Sequence, residues 1–153
     1  SSFLCLRYLS SNWSVWCING EFHGDAGGAG FAAGPAGNYQ FQINIDAGVE
    51  LVCTISVTSR RISKRKYPGL LLAVAKGCAP GQRTRALDAA TMVGGESPIH
   101  AAQNRSASVE HKLQAVDGPF NLIPMTTEPW TGRYYLRIFS SGPAQVEPLG
   151  QLQ

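Results

Sequence analysis

The sequence has little charge and no long apolar run. Charged residues make up 15% and hydrophobic residues 44% of the 153 positions. That balance excludes a disordered chain, and no stretch is long enough for a helical membrane span. No signal-peptide pattern opens the sequence: Phe3 to Leu9 is short and is interrupted by Arg7. None of the four cysteines (Cys5, Cys17, Cys53, Cys78) form a Cys-x-x-Cys pair, which removes zinc-finger and dithiol redox readings. No two of the ten acids lie within three residues of each other. A strong intrinsic calcium site, which needs converging carboxylates, is therefore not expected, although weak binding by acids that meet in space stays open. The cysteines and the three histidines (His23, His100, His111) show no nucleophile–base signature, so no catalytic residue is assigned. The net charge of +3 is too modest to imply a nucleic-acid partner by itself.

What is present suits one domain with a real core. The first residue is Ser, which suggests a piece of a longer chain. Cys5, Cys17 and Cys53 lie in apolar or alternating runs and are expected to be buried small hydrophobes in a reducing cytosol. Two sequons, at Asn12 and Asn104, have meaning only on a secreted chain.

Short alternating segments recur along the chain. Phe3 to Leu9 and Trp13 to Ile18 read as strands, the second with Trp13, Val15 and Cys17 on one face and Trp16 and Ile18 on the other. Tyr39 to Ile45 puts Tyr39, Phe41, Ile43 and Ile45 on one face and Gln40, Gln42 and Asn44 on the other, a half-buried strand. In Val49 to Thr58 the residues Leu51, Cys53, Ile55 and Val57 keep register. Tyr67 to Lys76 reads as a central strand buried on both faces. Any helix near Thr84 to Met92 would be short, and Ala107 to Val116 reads as a strand with His111 in a structural role. Repeated short strands separated by turn signals give an all-β fold, an antiparallel β-sandwich.

Two glycine-containing stretches need separate treatment. Gly24 to Asn38 formally contains a dinucleotide fingerprint, but Pro35 and the extra glycines forbid the helix that would present its N–H groups to a pyrophosphate. A surface loop is expected there. Phe120 to Ser141 reads as a hairpin: an apolar run ended by Pro124, which lacks an N–H and is expected at the strand end or on an edge, a reversal holding Glu128, Pro129 and Gly132, and a strand from Arg133 to Phe139. Tyr134, Leu136 and Ile138 share one face of that strand, and Tyr135, Arg137 and Phe139 the other. Arg137 is expected to snorkel or stack among the aromatics.

This hairpin resembles the last hairpin of calpain domain III, the C2-like β-sandwich that follows the protease core. The residues that match are Ile123, Pro124, Thr126, Glu128, Pro129, Gly132, Tyr135, Leu136, Arg137, Ile138, Phe139 and Ser140, with Met125 and Thr127 departing from the pattern. Near the start, Gly20, Phe22, Gly24, Ala26, Gly27 and Gly28, then Asn38, Gln40 and Phe41, follow the same family's order, with Phe22 in place of Trp and Tyr39 in place of Pro. The resemblance implies a non-catalytic domain over residues 1–141, with 142–153 as a linker or tail. It also implies a cytoplasmic regulatory or interaction role, packing on the protease-like core of a calpain-like cysteine protease or a catalytically dead relative. The chain alone is then not an enzyme and needs no cofactor.

The strongest charge feature is Arg60, Arg61, Lys64, Arg65 and Lys66, five basic residues in a stretch of seven. As a hairpin tip it is either a solvated end, a contact for anionic phospholipid, or a contact for an acidic face of a neighbouring domain. Nucleic acid is not expected, because no aromatic residue is interleaved to stack a base. The competing reading from another class is an extracellular carbohydrate-binding or adhesive sandwich. It requires an exposed Trp13 or Trp16 as a stacking platform.

Overall fold

The computed structural model describes residues 13–22, 39–57, 70–94, 106–126 and 131–149. It contains eight strands: β1 (Ser14–Phe22), β2 (Gln40–Ile45), β3 (Val49–Val57), β4 (Leu70–Ala75), β5 (Ser106–Leu113), β6 (Phe120–Thr126), β7 (Gly132–Ser140) and β8 (Ala144–Leu149). The only helical element among the described residues is a single 3-10 turn at Ala115–Asp117. The strands form two four-stranded sheets, ordered β1-β7-β3-β5 and β4-β6-β2-β8, with every pairing antiparallel. The protein is an antiparallel β-sandwich.

Alternation decides what faces inward. Leu51, Cys53, Ile55 and Val57 of β3 meet Tyr134, Leu136 and Ile138 of β7 in one core, and all seven are buried. The opposite sheet adds Phe41, Ile43, Leu70, Leu72, Val74, Phe120 and Leu122 to the same cluster. Each such side chain contributes about 1.5–3 kcal/mol when fully buried, so this layer is the main source of stability.

The second sheet is covered on its outer face as well. Leu71, Ala73, Ile123 and Met125 form a separate buried cluster, with Leu87 packed against it. The cover is chain 76–93, which runs as turns and extended segments and contains no helix. Its path is held by three side-chain amides of the sheet. Gln40 Nε2 donates to the Thr84 carbonyl at 2.7 Å, and the Thr84 N–H donates back to Gln40 Oε1 at 2.7 Å. Gln42 repeats the arrangement, donating to the Ala79 carbonyl at 3.0 Å and accepting from the Gly81 N–H at 2.8 Å. Asn121 Nδ2 donates to the Gln82 carbonyl and to Thr84 Oγ1, each at 2.9 Å, while its Oδ1 accepts from Gln42 at 3.0 Å. Gly81 sits at φ +72°, a left-handed conformation that favours glycine.

Several expectations need correction. The polar side of β2 was expected to face solvent, but Gln40 and Gln42 are buried because the covering chain satisfies them. Of the two places expected for Pro124, a strand end or an edge, the strand end is not found, since β6 continues to Thr126, but the position is locally an edge. The pairing of β2 with β6 stops at Leu122, so at Pro124 the strand is paired with β4 alone, at Leu72, and a missing N–H is tolerated. Residues 144–149, placed in a tail by the sequence reading, form β8 against β2. Val146 and Ala144 pack on the core, and Pro148 is accommodated because β8 is an edge strand. The strand expected up to Val116 stops at Leu113, where the 3-10 turn begins to form. Cys53 is buried as expected, whereas Cys17 is exposed on the outer face of β1.

Replacing Gln42 by Leu keeps the size roughly constant but strands the Gly81 N–H and the Ala79 carbonyl. Urea unfolding of Gln42→Leu should show a loss of at least ~1–3 kcal/mol. An unchanged midpoint would mean that the amide does not hold the covering chain.

Candidate functional site

The basic cluster Arg60, Arg61, Lys64, Arg65 and Lys66 lies outside the described residues, as do the Gly-rich loop, Cys5, His23, His100 and both sequon asparagines. The remaining sequence-derived candidates are scattered through the sandwich. His111 is half-buried on β5, with its ring beside Gly94. Cys78 is half-buried at the root of the covering chain, its Sγ 3.6 Å from the Ala75 carbonyl oxygen. Among the described residues no three His, Cys, Asp or Glu side chains are grouped to hold a metal ion. Trp13 and Trp16 are both half-buried, and Trp16 packs on the core. Arg137 is exposed on β7, opposite Cys17 of β1.

A groove of about 710 Å³ lies beside β1, an edge of one sheet, where Pro148 of β8, an edge of the other, also lines it. That volume falls in the usual range for ligand clefts. β1 supplies Ile18, Asn19, Gly20 and Glu21, and β7 supplies Arg133, Tyr134 and Tyr135. Tyr39, Phe41 and Pro148 complete the lining from the other sheet. The wall is therefore aromatic, with one acid and one base at the rim. Those two are paired, Arg133 Nε to Glu21 Oε1 at 3.5 Å, and both are well exposed. An ion pair this exposed adds little stability, and it leaves the rim electrically balanced.

Tyr134 is set by its neighbours. It lies opposite Gly20 across the β1–β7 ladder, and its ring occupies the space where a Cβ would stand on Gly20. Phe22 packs against it with ring centroids 4.7 Å apart and tilted by 40°. The hydroxyl is buried without a hydrogen-bond partner. Burial, and then the neighbouring phenol of Tyr39, push its ionisation well above the ordinary tyrosine range. Burial alone does the same to the Cys53 thiol. Both groups therefore stay protonated and neutral, and neither is a nucleophile at ordinary pH.

Sequence reasoning did not find this groove. Its residues come from three stretches, 18–21, 39–41 and 133–148, that are distant in the chain, and they have no common spacing. The single local signal is Gly20 in an otherwise side-chain-rich strand, a residue type that marks close approach inside a β-strand.

No family model matches the chain, and no curated protein matches it. Two solved structures align with the chain at a distance. A chain of the acid-stable capsid of Helicobacter pylori bacteriophage KHP30 aligns with 10% identity and a TM-score of 0.42, covering 90% of this chain and 94% of that one. The CBM22-1 xylan-binding domain of Paenibacillus barcinonensis Xyn10C aligns with 11% identity and a TM-score of 0.33, covering 70% of this chain and 58% of that one. Likenesses this remote assign no role to the protein.

The thiols give a direct check on the geometry. In native protein a maleimide should label Cys17 quickly and leave Cys53 untouched until unfolding, as read by peptide mass spectrometry. Equal rates at the two sites would contradict the placement of β1 and β3. The raised ionisations also fix a pH dependence. The folded state keeps both protons where the unfolded state releases them, so the stabilisation is full below the ordinary values of 9.0 for the thiol and 10.0 for the phenol. Stability should fall as pH rises past 9 and fall further past 10, and Cys53→Ala should flatten the first part of that decline. A flat profile in the parent protein would refute the burial of both groups.

Proposed function

We propose that the chain is a non-catalytic regulatory or interaction module of a calpain-like protein. It packs against the neighbouring protease-like core and works in the cytoplasm, with anionic phospholipid as a further partner. The observation that carries this reading is the way the two resembling stretches meet in space. Phe22, from the first stretch, pairs with Gly132, from the second, and Gly20 pairs with Tyr134, which stands between the matching residues Gly132 and Tyr135. Phe41 likewise pairs with Leu122, next to Ile123. Two motifs about a hundred residues apart in sequence thus describe one structural unit. Gln40, another of the matching residues, anchors the covering chain.

A β-sandwich by itself is not evidently catalytic, and binding is the activity that its surfaces support. No helix among the described residues is long and apolar enough to cross a membrane. Contact with a bilayer would then come through surface charge, and the basic cluster at 60–66 is the feature of the right sign. The carbohydrate-binding alternative called for an exposed tryptophan. Trp13 and Trp16 do not supply one, because both are half-buried.

Two experiments test the proposal. The coding sequence upstream of Ser1 should encode a papain-like core, with or without its full Cys, His and Asn set. That core, produced separately, should bind the 153-residue chain in calorimetry. An unrelated upstream domain, or no binding, would remove the calpain reading. For the lipid partner, the chain should sediment with vesicles containing phosphatidylserine but not with neutral vesicles, and binding should weaken as salt rises to physiological strength, where the Debye length is about 8 Å. Changing Lys64, Arg65 and Lys66 to Ser should abolish most of this binding with or without a chelator. Retained binding in the triple variant would eliminate the basic cluster as the contact.

A further inference from the structure

Four strands form the margins of the two sheets, and three of them are blunted in recognisable ways. Along β4 the covering chain takes the place of a further strand: the Val93 N–H donates to the Val74 carbonyl, the Lys76 N–H to the Thr91 carbonyl, and Ala75 bridges Met92. β5 carries exposed Glu110 and Lys112, and β8 carries Glu147 and Pro148. Charge, proline and a covering loop are the usual means of preventing edge-to-edge pairing. Over residues 14–20, β1 uses none of them. This stretch has no charged residue and no proline, and its register with β7 runs from Ser14 opposite Ser140 to Gly20 opposite Tyr134 without a bulge. Among the described residues β1 pairs with β7 alone, and no described strand meets the backbone donors and acceptors on its other side over residues 14–20.

The groove lies along the C-terminal half of this edge. A strand added beside β1 would direct alternate side chains into the space between the sheets, next to Ile18, Gly20, Tyr39 and Pro148. Side chains on its other face would lie beside Val15, which is 50% exposed, and Cys17. We propose that the free edge of β1 receives an extended peptide as an added strand, with one apolar or aromatic side chain seated in the tyrosine-lined groove. Backbone hydrogen bonds supply the affinity in this mode of recognition, and the pocket supplies the selection. The partner is an uncharged segment, because the edge carries no charge over residues 14–20 and the rim pair Glu21–Arg133 is already compensated. It is rich in β-branched residues, which pair well across a ladder with Val15. The buried hydroxyl of Tyr134 is the polar group of the groove wall that still lacks a partner.

The test uses the 153-residue chain and a capped peptide, Thr-Val-Thr-Tyr-Thr-Val-Thr, with a second version N-methylated at alternate residues. Amide hydrogen exchange followed by NMR reports the edge directly. The expected result is that the first peptide slows exchange within residues 14–20 in a saturable one-to-one manner and that the N-methylated peptide does not. Val15→Lys combined with Cys17→Lys should weaken binding by about tenfold or more, since charge on an edge opposes strand addition. Both positions are exposed, so the fold should be retained. Tyr134→Phe removes an unpartnered buried hydroxyl and should raise the free protein's melting temperature. A parallel loss of peptide affinity would show that the hydroxyl contacts the occupant, and unchanged affinity would confine the peptide to the edge and the ring faces. The proposal is overturned by three results: no change in exchange at saturating peptide, equal binding of the N-methylated peptide, or slow exchange at 14–20 before any peptide is added. In the last case sedimentation distinguishes pairing with a second copy from pairing with residues 1–12 of the same chain.

Discussion

The sheet β4-β6-β2-β8 depends on three carboxamides. Gln40, Gln42 and Asn121 occupy its outer face, where solvent would normally satisfy them, and all three are buried. Left alone, each would cost about 1–3 kcal/mol as an unpaired buried polar group. Each instead meets the backbone of residues 79–84, two of them through a matched donor and acceptor. The amides thus act as a substitute ladder and fix where the covering chain runs. Once it is in place, Leu87 closes over Leu71, Ala73, Ile123 and Met125, and the outer face becomes a second small core. None of the clamping groups titrates, so the clamp itself is indifferent to pH. The pH dependence of the fold comes from Cys53 and Tyr134 in the main core.

This clamp makes the two sheets unequal. One is covered on both faces. The other keeps an outer face of Val15, Cys17, Tyr135 and Arg137 open to solvent. A partner that adds to the fold meets the open sheet first, and β1 is the margin of that sheet. The groove, the free edge and the open face adjoin one another for this reason.

Alternation carried most of the architecture into view from sequence. β3 and β7 face as their patterns indicate, because a period of two leaves one choice of face once a core exists. The burial of Gln40 and Gln42 was not legible, since a polar row in a strand signals solvent unless the covering segment is known. That segment, residues 76–93, has no periodicity of its own; its path is set by side chains on β2 and β6, nearly forty residues away on either side. Pro124 obeys the edge rule in a way the sequence does not reveal: β2 has already left β6 at that point, so the strand is paired on one side only there. Cys17 misled because the outer face of its sheet is uncovered, and an apolar residue on that face resembles a core residue in the sequence alone. Proline near the C-terminus suggested a tail, yet an edge strand tolerates it.

The residues that carry the resemblance to calpain domain III also show what such a pattern encodes. Phe22, Phe41, Ile123, Leu136 and Ile138 are core, Gln40 is part of the clamp, and Gly20 makes room for Tyr134. These are requirements of one way of building a sandwich. The groove draws on both kinds of position: Gly20, Phe41 and Tyr135 belong to the matching set, whereas Ile18, Asn19, Tyr39, Arg133, Tyr134 and Pro148 lie outside it, and Tyr39 stands where the family pattern has Pro. Most of the groove is therefore built from positions that the pattern does not constrain. Two proteins that share the pattern can differ at those positions, and two that share the groove chemistry need not share the pattern.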